Sequence, residues 1–302
     1  MDFHRITLQD KDWMEQLLQQ SSYNSCEYSF TDQFNWGHAH QTEIARMGNF
    51  GIIRSGFKEY SYLYPFGTGD VRPVIEAMME DAKKHRVNFT MTLLLDPMKQ
   101  ELERTMPGKF VFTEERDYFD YIYERDRLVD LKGRKLGTKR NHINRFIVNH
   151  PDWKFEMIDE SNIGECWAMN EEWSARNEFS IGSGLMKERA ALKSAFQNFF
   201  QEELVGGLIR VDGKVIAYAM GHPLTEDTFV VHFEKAFADI QGAYQMINRE
   251  FARHCCKGYT YVNREDDTGL PALRDAKLSY LPDILLTKYD AVLAEQQPEY
   301  QQ

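Results

Sequence analysis

The chain has 302 residues, 42% hydrophobic and 27% charged, and carries a net charge of −11. That composition excludes extensive disorder and a general nucleic-acid coat, since acidity favours solubility over polyanion binding. No apolar run approaches the roughly 18 residues of a membrane span, and the N-terminus lacks the apolar core of a signal peptide. Four cysteines without a CxxC pair fit a reducing cytoplasm with buried thiols.

In chain order, "DKDWMEQLLQQSS" reads as a helix and "YSYLYPFG" as a strand. "DVRPVIEAMMEDAKKHR" places Val71, Ile75, Met78 and Ala82 at helical spacing, with Asp70 as N-cap. A buried-type strand "NFTMTLLL", a helix "DPMKQELERTM" and the strand-rich "KFVFTEERDYFDYIYE" follow. Then comes "LKGRKLGTKRNHINRF", with Lys132, Arg134, Lys135, Lys139, Arg140 and Arg145, and no acid from Leu131 to Pro151.

Beyond it, "DESNIGECWAMNEEWSAR" and "LMKERAALKSAFQNFF" read as helices. "GGLIRVDGKVIAYAMGHPL" reads as a hairpin turning at Asp212-Gly213, with His222 at a strand end. "TFVVHFEKAF" is a strand, "GAYQMINREFARHC" a helix with the stripe Tyr244, Ile247, Phe251 and Cys255, "GYTYVNRED" a strand and "LPALRDAKLSY" a last helix. Both halves run helices, strands, then helix, strand, helix. The expected division is residues 1–129 and 130–302, one architecture twice, in the α+β class with mixed sheets flanked by helices.

The strand–helix–strand unit from Thr228 to Asp266 implies a parallel pair with a right-handed crossover. In its loop, Gly242 lets the backbone approach a ligand at a helix N-terminus, which suits a phosphate, or it makes a plain tight turn. Alternation puts His232 and Glu234 on one face. Glu234 is the first candidate for general base and His232 the second. Alternatively Glu234 pairs with Lys235, Arg264 or Arg249. At the next strand's carboxyl end, where ligand crevices lie in open α/β sheets, Asn263, Glu265 and Asp266 can bind a carbonyl or an ammonium, or cap the following turn. Arg274, Lys277 and Tyr280 recur at spacings of three on one helix face, either as an anion site or as an exposed stripe. His38 and His40 can contact a metal, but no cysteine or carboxylate cluster stands beside them in sequence, so no metal is expected.

The order hairpin, strand, glycine loop, helix, strand, helix resembles the GNAT acyltransferase fold. The segment matching its Q/R-x-x-G-x-G/A loop is Asp239-Ile-Gln241-Gly242-Ala243-Tyr244. An aspartate in the first position repels a pyrophosphate unless it turns away. "LRDAKLSYLPDILLTKY", with "TFVVHFEKA", "GAYQMINREFA", "YVNREDD" and the basic segment, resembles the soluble catalytic domain of phosphatidylglycerol lysyltransferases. The resemblance implies a tandem GNAT-like fold related to Fem-type aminoacyltransferases. It also implies transfer of an aminoacyl group from a charged tRNA to an amine or hydroxyl.

On that reading Lys235, Ala236, Gln241, Gly242, Ala243, Tyr244, Arg274, Lys277 and Tyr280 hold the phosphate-rich donor. Lys135, Lys139, Arg140 and Arg145 grip the tRNA on a helix whose Leu136, Ile143 and Ile147 face inward, unless they form only a solvated face. Two alternatives stand beside it: an acyl-coenzyme A donor on the same fold, and a non-catalytic binding module.

Overall fold

The computed structural model describes residues 1–177 and 183–296. The chain opens with β1 (His4–Arg5), α1 (Lys11–Ser21) and α2 (Phe30–His40), then β2 (Glu43–Met47), β3 (Phe50–Ser55), β4 (Ser61–Tyr62) and β5 (Phe66–Gly67). There follow α3 (Arg72–His85), β6 (Thr90–Leu94), α4 (Asp96–Thr105) and β7 (Phe110–Glu114). Next come β8 (Asp120–Glu124), α5 (Arg125–Asp130), α6 (Gly137–Asn149), β9 (Lys154–Met157), α7 (Ile163–Asn177) and α8 (Ser183–Gln197). The remainder is β10 (Val205–Val211), β11 (Lys214–Pro223), β12 (Thr228–Ala236), α9 (Ala243–His254), β13 (Tyr261–Asn263), α10 (Pro271–Leu278), β14 (Ile284–Leu286) and β15 (Tyr289–Leu293).

These elements form two compact units. Among the described residues, the first takes Met1–Asp120, Asp266–Leu270 and residues 285–296; the second takes residues between Tyr121 and Glu265 and Pro271–Ile284. The expected division at 129/130 falls at the end of α5, inside the second unit. The physical reason is β8: it hydrogen-bonds to β13 in antiparallel register, so the chain joins the second sheet before the basic segment begins. β15 joins the first sheet between β6 and β7.

The first unit's sheet runs β1-β2-β3-β4-β6-β15-β7, with β5 on β3. β4 and β6 are parallel, with α3 in the connection between them. Val74, Ile75, Met78 and Ala82 of α3 are buried against this sheet's core, which includes Tyr62, Phe66, Met91 and Tyr289. Asp70 accepts the Arg72 N–H at 3.1 Å, one residue ahead of the cap position at Val71. The stretch expected as one strand splits into β4 and β5 around Pro65, which has no N–H for a ladder. His38 and His40 lie in the last turn of α2, two residues apart and so on different sides of the helix.

The second sheet runs β14-β8-β13-β12-β11-β10-β9. β12 and β13 are parallel, joined through α9, whose Met246, Ile247 and Phe251 are buried. Their pairing is short: Thr228, Phe229 and Val230 match Tyr261, Val262 and Asn263, and β13 then ends while β12 continues to Ala236. The strands part there and leave a notch. A bulge sits at the same level of β12. Met220 pairs with Phe233 and Gly221 with Val231, so His232 is an extra residue. A bulge shifts the facing of everything beyond it. Among the described residues, no helix is long and apolar enough to cross a membrane.

Candidate functional site

The bulge corrects one expectation: His232 and Glu234 do not share surroundings. His232 reaches Glu265 (Nδ1 to Oε1, 2.6 Å) and His222 of β11 (Nε2 to Nδ1, 2.9 Å). Glu234 reaches Asn248 on α9 (3.2 Å) and Arg264 (2.9 Å). The expected pairing of Glu234 with Arg264 is the one that forms. Lys235 faces α7 and α8, bonding Glu188 at 2.6 Å with its ammonium 4.0 Å from the Trp173 ring centroid.

The His222–His232–Glu265 chain is built across three adjacent strands: His222 near the end of β11, His232 at the bulge in mid-β12, and Glu265 just past β13. Asn263 is fully buried and its Oδ1 accepts the Glu265 N–H at 2.7 Å. That bond holds Glu265 in a left-handed conformation, φ 56°, which an ordinary side chain adopts only when its surroundings impose it. Asn263 therefore positions Glu265 here. With Glu265 ionised, His232 donates from Nδ1 and its Nε2 can accept from Nδ1 of His222, an arrangement suited to moving a proton. Asp266 departs from its expected place. It belongs to the first unit, where its carboxylate lies within 4.8 Å of the ligand atoms of Cys26, Glu27 and Asp120.

Arg264 borders the notch. Its backbone N–H bonds Tyr121 and its carbonyl accepts the Lys277 ammonium at 2.6 Å. The guanidinium bonds Glu234 through Nη2, while the buried Nη1 has no hydrogen-bond partner. Its Cζ lies 5.1 Å from the Tyr280 ring centroid and 5.8 Å from that of Tyr123. Burial opposes the charge, but Glu234, Tyr123 and Tyr280 more than offset it, so the group stays protonated above its ordinary value.

The Lys139 ammonium also lies over the Tyr280 ring, 4.3 Å from its centroid. Burial first, and the Arg264 charge second, pull its pKa below the ordinary lysine value. Among the described residues no carboxylate pairs with Lys139. Burial raises Tyr123 and Tyr280, so both remain neutral phenols. Asn248 also keeps one buried atom, Oδ1, without a partner.

The expected stripe on α10 does not stand open to solvent. Lys277 and Tyr280 are buried, and Arg274 is half-buried. The helix turns that face inward because Tyr123 donates to the Lys277 carbonyl at 2.7 Å and Lys277 itself caps Arg264.

The glycine loop also has a different neighbour from the one expected. Gly242 has φ 90°, and a Cβ there would stand 2.6 Å from the carbonyl oxygen of His142 on α6. Its freedom is used for helix packing. Asp239 pairs with Arg176 at 3.2 Å, Gln241 is exposed, Ala236 and Ala243 are buried, and Tyr244 accepts from Trp173 Nε1 at 3.2 Å.

The basic segment divides its cations. Its helix starts only at Gly137, and Phe146 rather than Ile147 is buried beside Leu136 and Ile143. Lys132 is held by Asp130 at 2.6 Å, and Arg140 donates to the carbonyls of Leu131 and Gly133. Arg134, Lys135 and Arg145 are exposed, with no ion pair among the described residues. Sequence reading overlooked His222, taken only as a strand end, and Tyr123. The available signal was a second histidine on the strand that a hairpin must pair with β12.

The family model described as "Phosphatidylglycerol lysyltransferase, C-terminal" matches residues 18–292. A crystal structure of a conserved protein of unknown function from Bacteroides thetaiotaomicron VPI-5482 is 40% identical, with TM-score 0.92, over 97% of this chain and 99% of that one. The C-terminal domain assigned to a lysylphosphatidylglycerol synthetase from Agrobacterium fabrum gives TM-score 0.68 at 16% identity, over 94% of this chain and 91% of that one. L-PGS from Bacillus licheniformis gives 0.65 at 18%, over 95% and 92%. These two speak for the fold alone.

An uncharacterised protein of Mycoplasmoides gallisepticum is 22% identical over 173 residues, which is 56% of this chain and 54% of that protein, so the match spans about half its length. The fold is α+β, with mixed sheets flanked by helices, and the Agrobacterium fabrum and Bacillus licheniformis structures share it. With most of its length matched by the one model, the chain belongs to the phosphatidylglycerol lysyltransferase C-terminal family.

Proposed function

We propose that the protein transfers an aminoacyl group from a charged tRNA to an amine or hydroxyl acceptor. The observation that carries this reading is Arg264, whose side chain is only 13% exposed and whose buried Nη1 has no partner, beside a half-buried Lys139 that has no carboxylate of its own. Two cations against the Tyr280 ring, with one acid, Glu234, bonded to Arg264 alone, favour an anion in the notch between β12 and β13, and a guanidinium suits a phosphate or a developing oxyanion. Exposed Arg134, Lys135 and Arg145 supply further phosphate contacts. His232, oriented by Glu265, takes the proton from the acceptor nucleophile directly or through His222, and returns it to the departing ribose hydroxyl. The packing of Gly242 on α6 lends less support to a coenzyme A pyrophosphate in the glycine loop.

The test uses tRNA charged with labelled amino acids, with an RNA-free cell extract as acceptor source. Label should leave the tRNA for an acceptor, and His232→Gln should slow transfer about 100-fold while filter retention of tRNA is unchanged. Absence of both tRNA retention at low salt and label transfer would overturn the reading.

A further inference from the structure

A cavity of about 220 Å³ lies away from the notch, where α6 and α9 meet the end of α5. Arg140 and Asn144 line it from α6 and Arg249 and Arg253 from α9, each pair four residues apart and so on one face of its helix. Val129, Asp130, Leu131 and Ile143 complete it.

The charges do not balance. Glu250 is buried and holds Arg249 at 2.6 Å and Arg253 at 2.8 Å, with His254 at 3.4 Å. Asp130 is taken by Lys132. One carboxylate thus answers two guanidinium groups, and the third, Arg140, bonds only the carbonyls of Leu131 and Gly133 among the described residues, both through Nη1. Like charges four apart on a helix repel, and Arg249 is pulled below its ordinary value by burial despite Glu250. Arg253 is the more exposed of the two arginines on Glu250, with a side chain 41% exposed against 14% for Arg249.

We infer that this cavity is a second anion site, which takes a phosphate group between Arg140, Arg249 and Arg253. A phosphodiester of a bound polynucleotide and a free phosphate compound share that chemistry. The first source rests on the donor reading above; the second does not. A guanidinium fork recognises phosphate oxygens in pairs, and the cavity holds one such group with its water.

The probes are inorganic pyrophosphate by calorimetry and uncharged bulk tRNA by filter retention over a salt series. The variants are Asn144→Asp, which adds a carboxylate at an exposed lining position, and Arg253→Gln, which leaves Arg249 and His254 on Glu250. Both should melt like the parent.

Pyrophosphate affinity should fall about tenfold or more in each, as expected for losing or opposing one charge-assisted contact. If the source is tRNA, its salt slope should also fall by about one in each variant. Loss of pyrophosphate binding with tRNA retention unchanged or absent supports the site with a free phosphate compound as its ligand. Variants that bind both probes like the parent, or a parent that binds neither, would overturn the inference. Labelled transfer that persists alongside unaltered variants would retire this pocket and leave the donor reading standing.

Discussion

Each unit holds a cation largely out of water, and the two are treated differently. In the first, Lys288 is fully buried and its ammonium meets Glu27 at 2.6 and 2.7 Å and Asp120 at 2.7 Å, with Cys26 Sγ at 3.8 Å. Burial opposes its charge, yet Asp120, Cys26 and Glu27 hold it well above the ordinary lysine value. In the second, Arg264 has one carboxylate, a leftover donor and a second cation nearby. A buried charge surrounded by counter-charges is a structural fixture. A buried charge left short of them favours an external anion.

The largest expected effect tests the first half of that contrast. Lys288→Met leaves Glu27 and Asp120 buried without their cation and should cost about 3–5 kcal/mol in denaturant melts. A loss under about 1 kcal/mol would break the comparison.

Asp290 sharpens it, as the first unit's exception. Burial raises it to about 6 from an ordinary 3.8, although it accepts the Leu93 N–H at 3.2 Å. Between those values the folded chain keeps a proton that the unfolded chain has lost. Its contribution is complete below 3.8 and disappears as pH rises through about 6. Asp290→Asn should therefore stabilise the protein at pH 7.5 by about 1–2 kcal/mol and have little effect near pH 3.5. Equal effects at both pH values would count against this account.

Lys139→Met is the smallest. It removes a desolvated cation and one cation–π contact, so stability should change by less than about 1 kcal/mol while tRNA affinity falls several-fold at low salt. Because its folded pKa is lowered, the parent should gain stability as pH rises through that value toward 10.5, and the variant should lack the gain. Unchanged tRNA retention would place Lys139 with the structural cations.

Much of the fold was legible because it rests on local patterns. The stripe on α3, the Asp212-Gly213 hairpin and the β12–α9–β13 crossover follow from periodicity and turn chemistry. Site geometry was less so. Alternation predicts His232 and Glu234 together, and a one-residue bulge sends them to different partners. Spacing puts Arg274, Lys277 and Tyr280 on one face, as an anion site or an exposed stripe, and Tyr123 and the Arg264 carbonyl hold Lys277 inward.

What the sequence by itself determined is the order of elements, the parallel crossover and the family pattern, all encoded by neighbours within a few residues. Only the tertiary structure decided which cations of the basic segment are spent on Asp130, carbonyls or Tyr280, which remain exposed, and that Arg264 borders the notch with Glu234. Lys132 finds Asp130 close by in the chain, but the other outcomes depend on partners from about seven to well over a hundred residues away, and periodicity carries no information about who arrives there.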